Sequence, residues 1–289
     1  MQISRSPKAD IFSGLEKYVI RTKDGKIKTK ISCQAQYAVR ITLFALFALT
    51  MYGFYTFDYK ELNFLSASLE LVDNLKTVFL QPKASRFTML EALYQVIITL
   101  GLAFLTTLIG AVLAIILGLF AAKNLSNVYV SNVIKAFVAF IRAVPTVLWV
   151  LIFAVAAGLG SVAAVIGLSL HSVAYLTKVY SESYEEIDSG VVEALKASGA
   201  NWWQIVFQAV LPSTTTSLLA WTFMRFEINF TNAVAMGAAA GAGGIGFDLF
   251  MAGSFYYDLR SIGVIAYLIL AFALILEVFS TKIKNKYLA

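Results

Sequence analysis

Apolar residues along this chain neither alternate nor keep to a narrow helical stripe. They come in long unbroken runs. Six runs, near 38–57, 90–121, 133–157, 161–180, 213–240 and 261–281, are long enough as helices to cross a hydrocarbon core of about 30 Å, which takes about 20 residues. Their length and continuity favour helices over the short alternating strands of a membrane barrel. A different pattern lies between the first two runs. Leu65, Leu69, Val72, Leu75 and Phe79 recur at helical spacing, with Glu70, Asp73, Asn74 and Thr77 between them. This predicts an amphipathic helix lying on the outer membrane surface, against a partner, or on its own bundle. The fold class expected is an all-α polytopic membrane protein of about six transmembrane helices.

Composition supports lipid as the solvent. Of 289 residues, 59% are hydrophobic and only 14% charged, against about 25% charged in a soluble domain. So few charges cannot cover the surface of a soluble globule, and so apolar a chain is not disordered. One cysteine, Cys33, excludes a disulfide scaffold. The charges are clustered. Residues 1–40 hold Arg5, Lys8, Lys17, Arg21, Lys23, Lys26, Lys28, Lys30 and Arg40 against Asp10, Glu16 and Asp24. Such a tail can bind nucleic acid, but beside an apolar run it reads as an orientation signal, and nucleic acid is not expected as a partner. A cleavable signal peptide is not expected either, because the basic region is long and no small-residue cleavage site follows the apolar run. The N-terminus is then cytoplasmic. Six crossings return the C-terminus, with Lys282, Lys284 and Lys286, to the same side. The expected organisation is a basic cytoplasmic tail at 1–36 and a transmembrane domain at 37–289. That domain has an outer segment at about 58–89 and a cytoplasmic arm at about 181–212.

The arm, SESYEEIDSGVVEALKASGANWWQIVFQAVLP, carries the punctuation of two short helices. Asp188 or Ser189 suits a helix start, Glu193 lies near that start and Lys196 near the end, and Gly199 suits a left-handed stop. Asn201 followed by Gln204 has the spacing of a capping box. Pro212 closes the arm and is placed to begin the next span. A bent, capped helix pair held between two spans can dock into a partner and act as a lever, which a flexible loop cannot.

Glu193-Ala194-Leu195, Gly199 and Leu211-Pro212 resemble the "EAA" coupling loop of permeases in bacterial ABC importers. That motif reads E-A-A, three residues, G, nine residues, I, one residue, L-P. Leu195 stands for the third alanine and Ala209 for the isoleucine, both apolar. A longer stretch, from about Arg142 to Phe247, resembles the phosphonate-type permeases. It includes Arg142-Ala-Val-Pro145, Gly158 to His171, Glu185-Glu186-Ile187-Asp188, Glu193 to Ala200, Arg225-Phe226-Glu227-Ile228-Asn229 and Gly241-Ala-Gly-Gly-Ile-Gly246. The resemblance implies the type I importer architecture of MetI-like permeases and import of phosphonate, phosphite or phosphate. It also implies a homodimer, a cytoplasmic ABC ATPase dimer that uses ATP and Mg, and an extracytoplasmic phosphonate-binding protein. Glu193, Ala194, Lys196, Gly199 and Ala200 would then meet the ATPase. No cofactor is expected in this chain. The alternatives are a permease for another solute such as an amino acid, and a proton-coupled transporter or channel.

Ionisable residues inside spans are costly and invite a functional reading. Arg142 and Arg225 both fall well inside predicted spans, and Asn229 lies one turn after Arg225 on the same face. Glu227 points elsewhere, although it remains a possible partner for either arginine. The planar fork of arginine suits an oxyanion. His171, Tyr175 and Lys178 share a face of the fourth span, and His171 is the only histidine. Pro145 removes a backbone hydrogen bond and predicts a kink beside Arg142. The candidate path residues are therefore Arg142, Pro145, His171, Arg225, Glu227 and Asn229. The glycine run at 241–246 suits a tight turn, or a nest of amides for an oxyanion. No phosphate loop, HExxH or Cys/His cluster occurs, so no metal site, catalytic residue or ATP hydrolysis is expected in this chain.

Overall fold

The structure, a computed structural model, describes residues 19–21, 27–29, 33–57 and 63–287. The chain divides into two units, Met1–Ala67 and Ser68–Ala289. In the first, β1 (Val19–Arg21) and β2 (Ile27–Thr29) pair antiparallel, with Ile20 opposite Lys28. Helix α1 (Cys33–Thr56) follows. Its apolar run Tyr37–Thr56 has no buried side chain. A helix apolar on all sides belongs in lipid or against another chain. The rest of the basic tail expected at 1–36 lies outside the described residues.

Helix α2 (Phe64–Leu80) straddles the division. The second unit holds α3 (Met89–Ala121), α4 (Val128–Ala143), α5 (Thr146–Ala157), α6 (Ser161–Glu185), α7 (Ser189–Ala197), α8 (Trp202–Ile205), α9 (Leu211–Ala240), α10 (Gly244–Phe250) and α11 (Leu259–Tyr287). Four helices, α1, α3, α6 and α11, are long and apolar enough to cross a membrane. Two bent pairs, α4 with α5 and Trp202–Ala240 with Gly244–Phe255, make up to six.

The third expected span, 133–157, is not one helix. Helices α4 and α5 meet at 88°. Val144 is extended (φ −89°, ψ 126°), as a residue before proline prefers, and Pro145 caps α5 (φ −54°, ψ 141°). The result is a corner instead of the expected kink. Trp149 Nε1 donates across it to Ile141 O at 2.9 Å, filling one of the carbonyls that the end of α4 leaves open. The fourth span is longer than 161–180, because α6 continues to Glu185. The fifth begins before 213. The backbone runs from Trp202 into α9 through a π-helical turn, Val206–Val210. That wider turn precedes Pro212, which has no N–H to offer.

Helices α3, α6 and α9 pack together through small residues. A Cβ on Gly110 of α3 would lie 2.6 Å from Ser172 Cβ of α6, so only glycine permits this approach. In lipid, close packing of small residues holds helices together more than apolar burial does. Two apolar cores result. One gathers Ala103, Leu168, Phe230, Met236 and Ile245; the other gathers Ala111, Leu176, Tyr180, Val206 and Leu218. Along each helix a polar stretch separates them.

The remaining contacts close the other end. Tyr267 Oη of α11 donates to Phe79 O of α2 at 2.7 Å, and the two rings meet edge to face. The C-terminal end of α2 is thus held on its own bundle, while most of the helix stays exposed. Ser85 Oγ and Ser261 Oγ both donate to Asp258 Oδ2, and the Ser261 N–H donates to Oδ1 at 3.2 Å. The glycine run packs tightly: Gly244 lies against Thr99, whose Oγ1 accepts from the Ile245 N–H at 3.0 Å. That amide is filled within the fold.

Candidate functional site

The arm has the expected joints. Asp188 Oδ1 accepts from the Gly190 N–H at 2.8 Å and starts α7. Gly199 (φ +84°) ends it, with the Ala200 N–H bonded to Leu195 O at 3.0 Å; a side chain would be strained in this left-handed conformation. Asn201 and Gln204 form the reciprocal capping box at 2.9 and 2.7 Å. Glu193 differs from expectation. It is the fifth residue of α7, beyond the first turn, so the helix dipole does not explain it. Val192 is buried and Leu195 packs beside it, while Glu193, Ala194, Lys196 and Gly199 face outward and Ala200 is half-buried.

Both ends of the arm are clipped to one turn, residues 122–126, between α3 and α4. Asn124 Nδ2 donates to Tyr184 O at 2.8 Å, the Lys123 N–H donates to Glu185 Oε1 at 2.7 Å, and Trp202 Nε1 donates to Leu125 O at 2.8 Å. Lys135 of α4 adds an ion pair to Glu185 at 2.7 Å. The sequence did not announce this anchoring, because its partners lie 50 to 77 residues apart in the chain.

Between the two apolar cores lies a buried polar cluster. Arg225 of α9 is 2% exposed. Its Nε donates to Ser172 Oγ at 3.1 Å, and its Nη2 lies 3.2 Å from His171 Nδ1. A guanidinium has no acceptor, so Nδ1 accepts and the ring proton sits on Nε2. The guanidinium also lies over the Tyr175 ring, 5.1 Å from its centre. Asn229, fully buried, donates through Nδ2 to Thr107 Oγ1 and Ser172 Oγ, both at 2.8 Å, with Thr106 Oγ1 at 3.3 Å. Among the described residues no carboxylate pairs with Arg225. Hydroxyl, imidazole and ring dipoles stabilise this charge without neutralising it. A buried cation of that kind attracts an anion.

The sequence candidates thus separate. His171, Arg225 and Asn229 come together, and Tyr175 joins them. Arg142, in the last turn of α4, is exposed and stands at a corner. Its expected depth within a straight span does not apply. Pro145 makes that corner and touches no member of the cluster by hydrogen bond. Glu227 pairs with neither arginine among the described residues. Lys178 turns away and pairs with Glu182 at 3.5 Å. Thr106, Thr107 and Ser172 were missed, since lone hydroxyls in apolar helices usually bond their own backbone. These do that too, to Leu102, Ala103 and Leu168.

The sequence pattern of the family described as "Binding-protein-dependent transport system inner membrane component" matches residues 114–289. The chain belongs to this family. The match takes in Arg142, His171, the arm, Arg225 and Asn229; Thr106 and Thr107 fall before it. Among this chain's relatives are the phosphate-import permease protein PhnE of Mycolicibacterium smegmatis, 34% identical over 53% of this chain and 29% of the relative, and the phosphite transport system permease protein PtxC of Stutzerimonas stutzeri, 32% identical over 65% of this chain and 68% of the relative. The chain thus spans less than a third of the first and about two thirds of the second. Among solved structures, the fold resembles a chain of the MetNI methionine ABC transporter in inward-facing conformation, with a TM-score of 0.62, 21% identity and coverage of 71% of this chain and 99% of that one.

Proposed function

We propose that the permease is the membrane-spanning subunit of an ATP-driven importer for phosphonate or a related phosphorus oxyanion such as phosphite or phosphate. The observation that carries this reading is the buried Arg225, un-neutralised among the described residues and framed by His171, Ser172 and Tyr175. An oxyanion passing this point meets a charge that costs no reorganisation, yet among the described residues no second buried guanidinium hydrogen-bonds into the cluster to hold the passenger too tightly. The names of the two relatives agree with such cargo. The complete transporter, on this reading, contains a second copy of the chain, a cytoplasmic ATPase dimer that consumes ATP and Mg, and an extracytoplasmic binding protein. It sits in the bacterial cytoplasmic membrane with both termini in the cytoplasm.

The arm supplies the lever. Glu193, Ala194, Lys196, Gly199 and Ala200 meet the ATPase. Closure of the ATPase dimer pulls on α7, and the clips at Asn124, Glu185 and Trp202 pass the displacement to α3, α6 and α9. Those helices carry the polar cluster, so the path alternates between the two sides. Reconstitution with its ATPase and binding protein should give ATP-dependent uptake of labelled phosphonate or phosphate. Uptake driven by a proton gradient without the ATPase, or uptake of an amino acid alone, would overturn the proposal.

A further inference from the structure

A second charged site lies on the arm's side of the cluster. A cavity of ≈ 220 Å³ opens between α4 and α6, lined in part by Lys135, Arg142, Thr177, Lys178, Glu182 and Glu185. A water needs about 10–15 Å³ of such space, so a small hydrated anion fits. Three cations face two carboxylates. Lys135 is paired with Glu185 and Lys178 with Glu182, which leaves Arg142 without an ion pair or hydrogen bond among the described residues. Thr177 is fully buried and its Oγ1 has no hydrogen-bond partner. An unpaired guanidinium beside an unused hydroxyl is a donor set waiting for an acceptor.

We propose that this cavity binds a phosphate-type oxyanion from the arm's side of the membrane, with Arg142 and Thr177 as its ligands, and that accumulated anion there slows transport. The second clause rests on the oxyanion cargo proposed above. An oxyanion in the cavity also draws on Lys135 and competes with Glu185. Glu185 is the carboxylate that accepts from the Lys123 N–H at the root of the arm, so occupancy loosens that root from α4.

The test uses the complete transporter in phosphatidylcholine vesicles, with Cys33→Ser and Ala139→Cys in this chain. Ala139 lines the cavity and is exposed. A charged thiol reagent is applied on the ATP side with increasing inorganic phosphate. Phosphate should protect the new cysteine, and Arg142→Gln should raise the half-protecting concentration about tenfold, with partial rescue by Arg142→Lys. Equal protection by chloride at the same ionic strength overturns the site. So does protection seen only in phosphatidylglycerol vesicles without added phosphate, which assigns the cavity to a lipid headgroup. With the unsubstituted chain, phosphate on the ATP side should slow ATP-driven uptake; an unchanged rate overturns the inhibitory role. Uptake of phosphonate without protection defeats the cavity alone, and protection without uptake of any phosphorus oxyanion defeats the cargo reading alone.

Discussion

Arg225 and Asn229 sit one turn apart on α9 and do different work. Arg225 supplies the charge, and Asn229 ties α9 to the hydroxyls of α3 and α6. Asn229→Leu removes that tie and should cost about 1–3 kcal/mol, read as a lower thermal unfolding midpoint in detergent. Asn229→Asp sets a carboxylate beside Ser172, the hydroxyl that Arg225 also uses. It should lower oxyanion uptake by neutralising the guanidinium; unchanged uptake would show that the charge is not felt by cargo. At the other end, Asp258 is held below its ordinary value of 3.8, first by the Ser85 hydroxyl and then by the Ser261 hydroxyl and N–H. A carboxyl depressed in the folded state contributes stability that is present above 3.8 and is lost as pH falls through the folded value. Ser85→Ala should therefore flatten the acid limb of the stability profile below about pH 4, while leaving the shape near neutrality unchanged.

At the scale of elements, the arm and the corner show what a sequence discloses. Caps act over three or four residues, so Asp188, Gly199 and the Asn201–Gln204 box were legible one by one. Gly199→Pro cannot adopt φ +84° and should uncouple the transporter: ATP hydrolysis continues, uptake stops, and membrane insertion persists. The corner at Pro145 was legible only as a kink, because a proline announces a lost hydrogen bond but not the angle at which packing sets the next helix. The clips to residues 122–126 had no local signal, since they join segments 60 to 77 residues apart in the chain. Gly110 was hidden in an apolar run, and its role depends on Ser172 of α6. Gly110→Val should force α3 from α6, lower the unfolding midpoint and disrupt the hydrogen bonds of Asn229 together.

Across the whole molecule, the apolar runs disclosed the membrane fold and the "EAA" spacing disclosed the family, while the charge cluster emerged only when α3, α6 and α9 were set side by side. The picture is of a buried cation, un-neutralised among the described residues, at the meeting of three helices, and a jointed arm whose ends are clipped to the turn at residues 122–126. The two are physically linked, because the turn that anchors the arm follows α3 and the arm itself runs into α9. The most direct test compares ATP-driven phosphonate uptake by the reconstituted transporter carrying Arg225, Arg225→Lys or Arg225→Gln, at matched folding and ATP hydrolysis. Uptake that falls with lysine and is lost with glutamine is the predicted result. Full uptake with glutamine at this position would contradict the account.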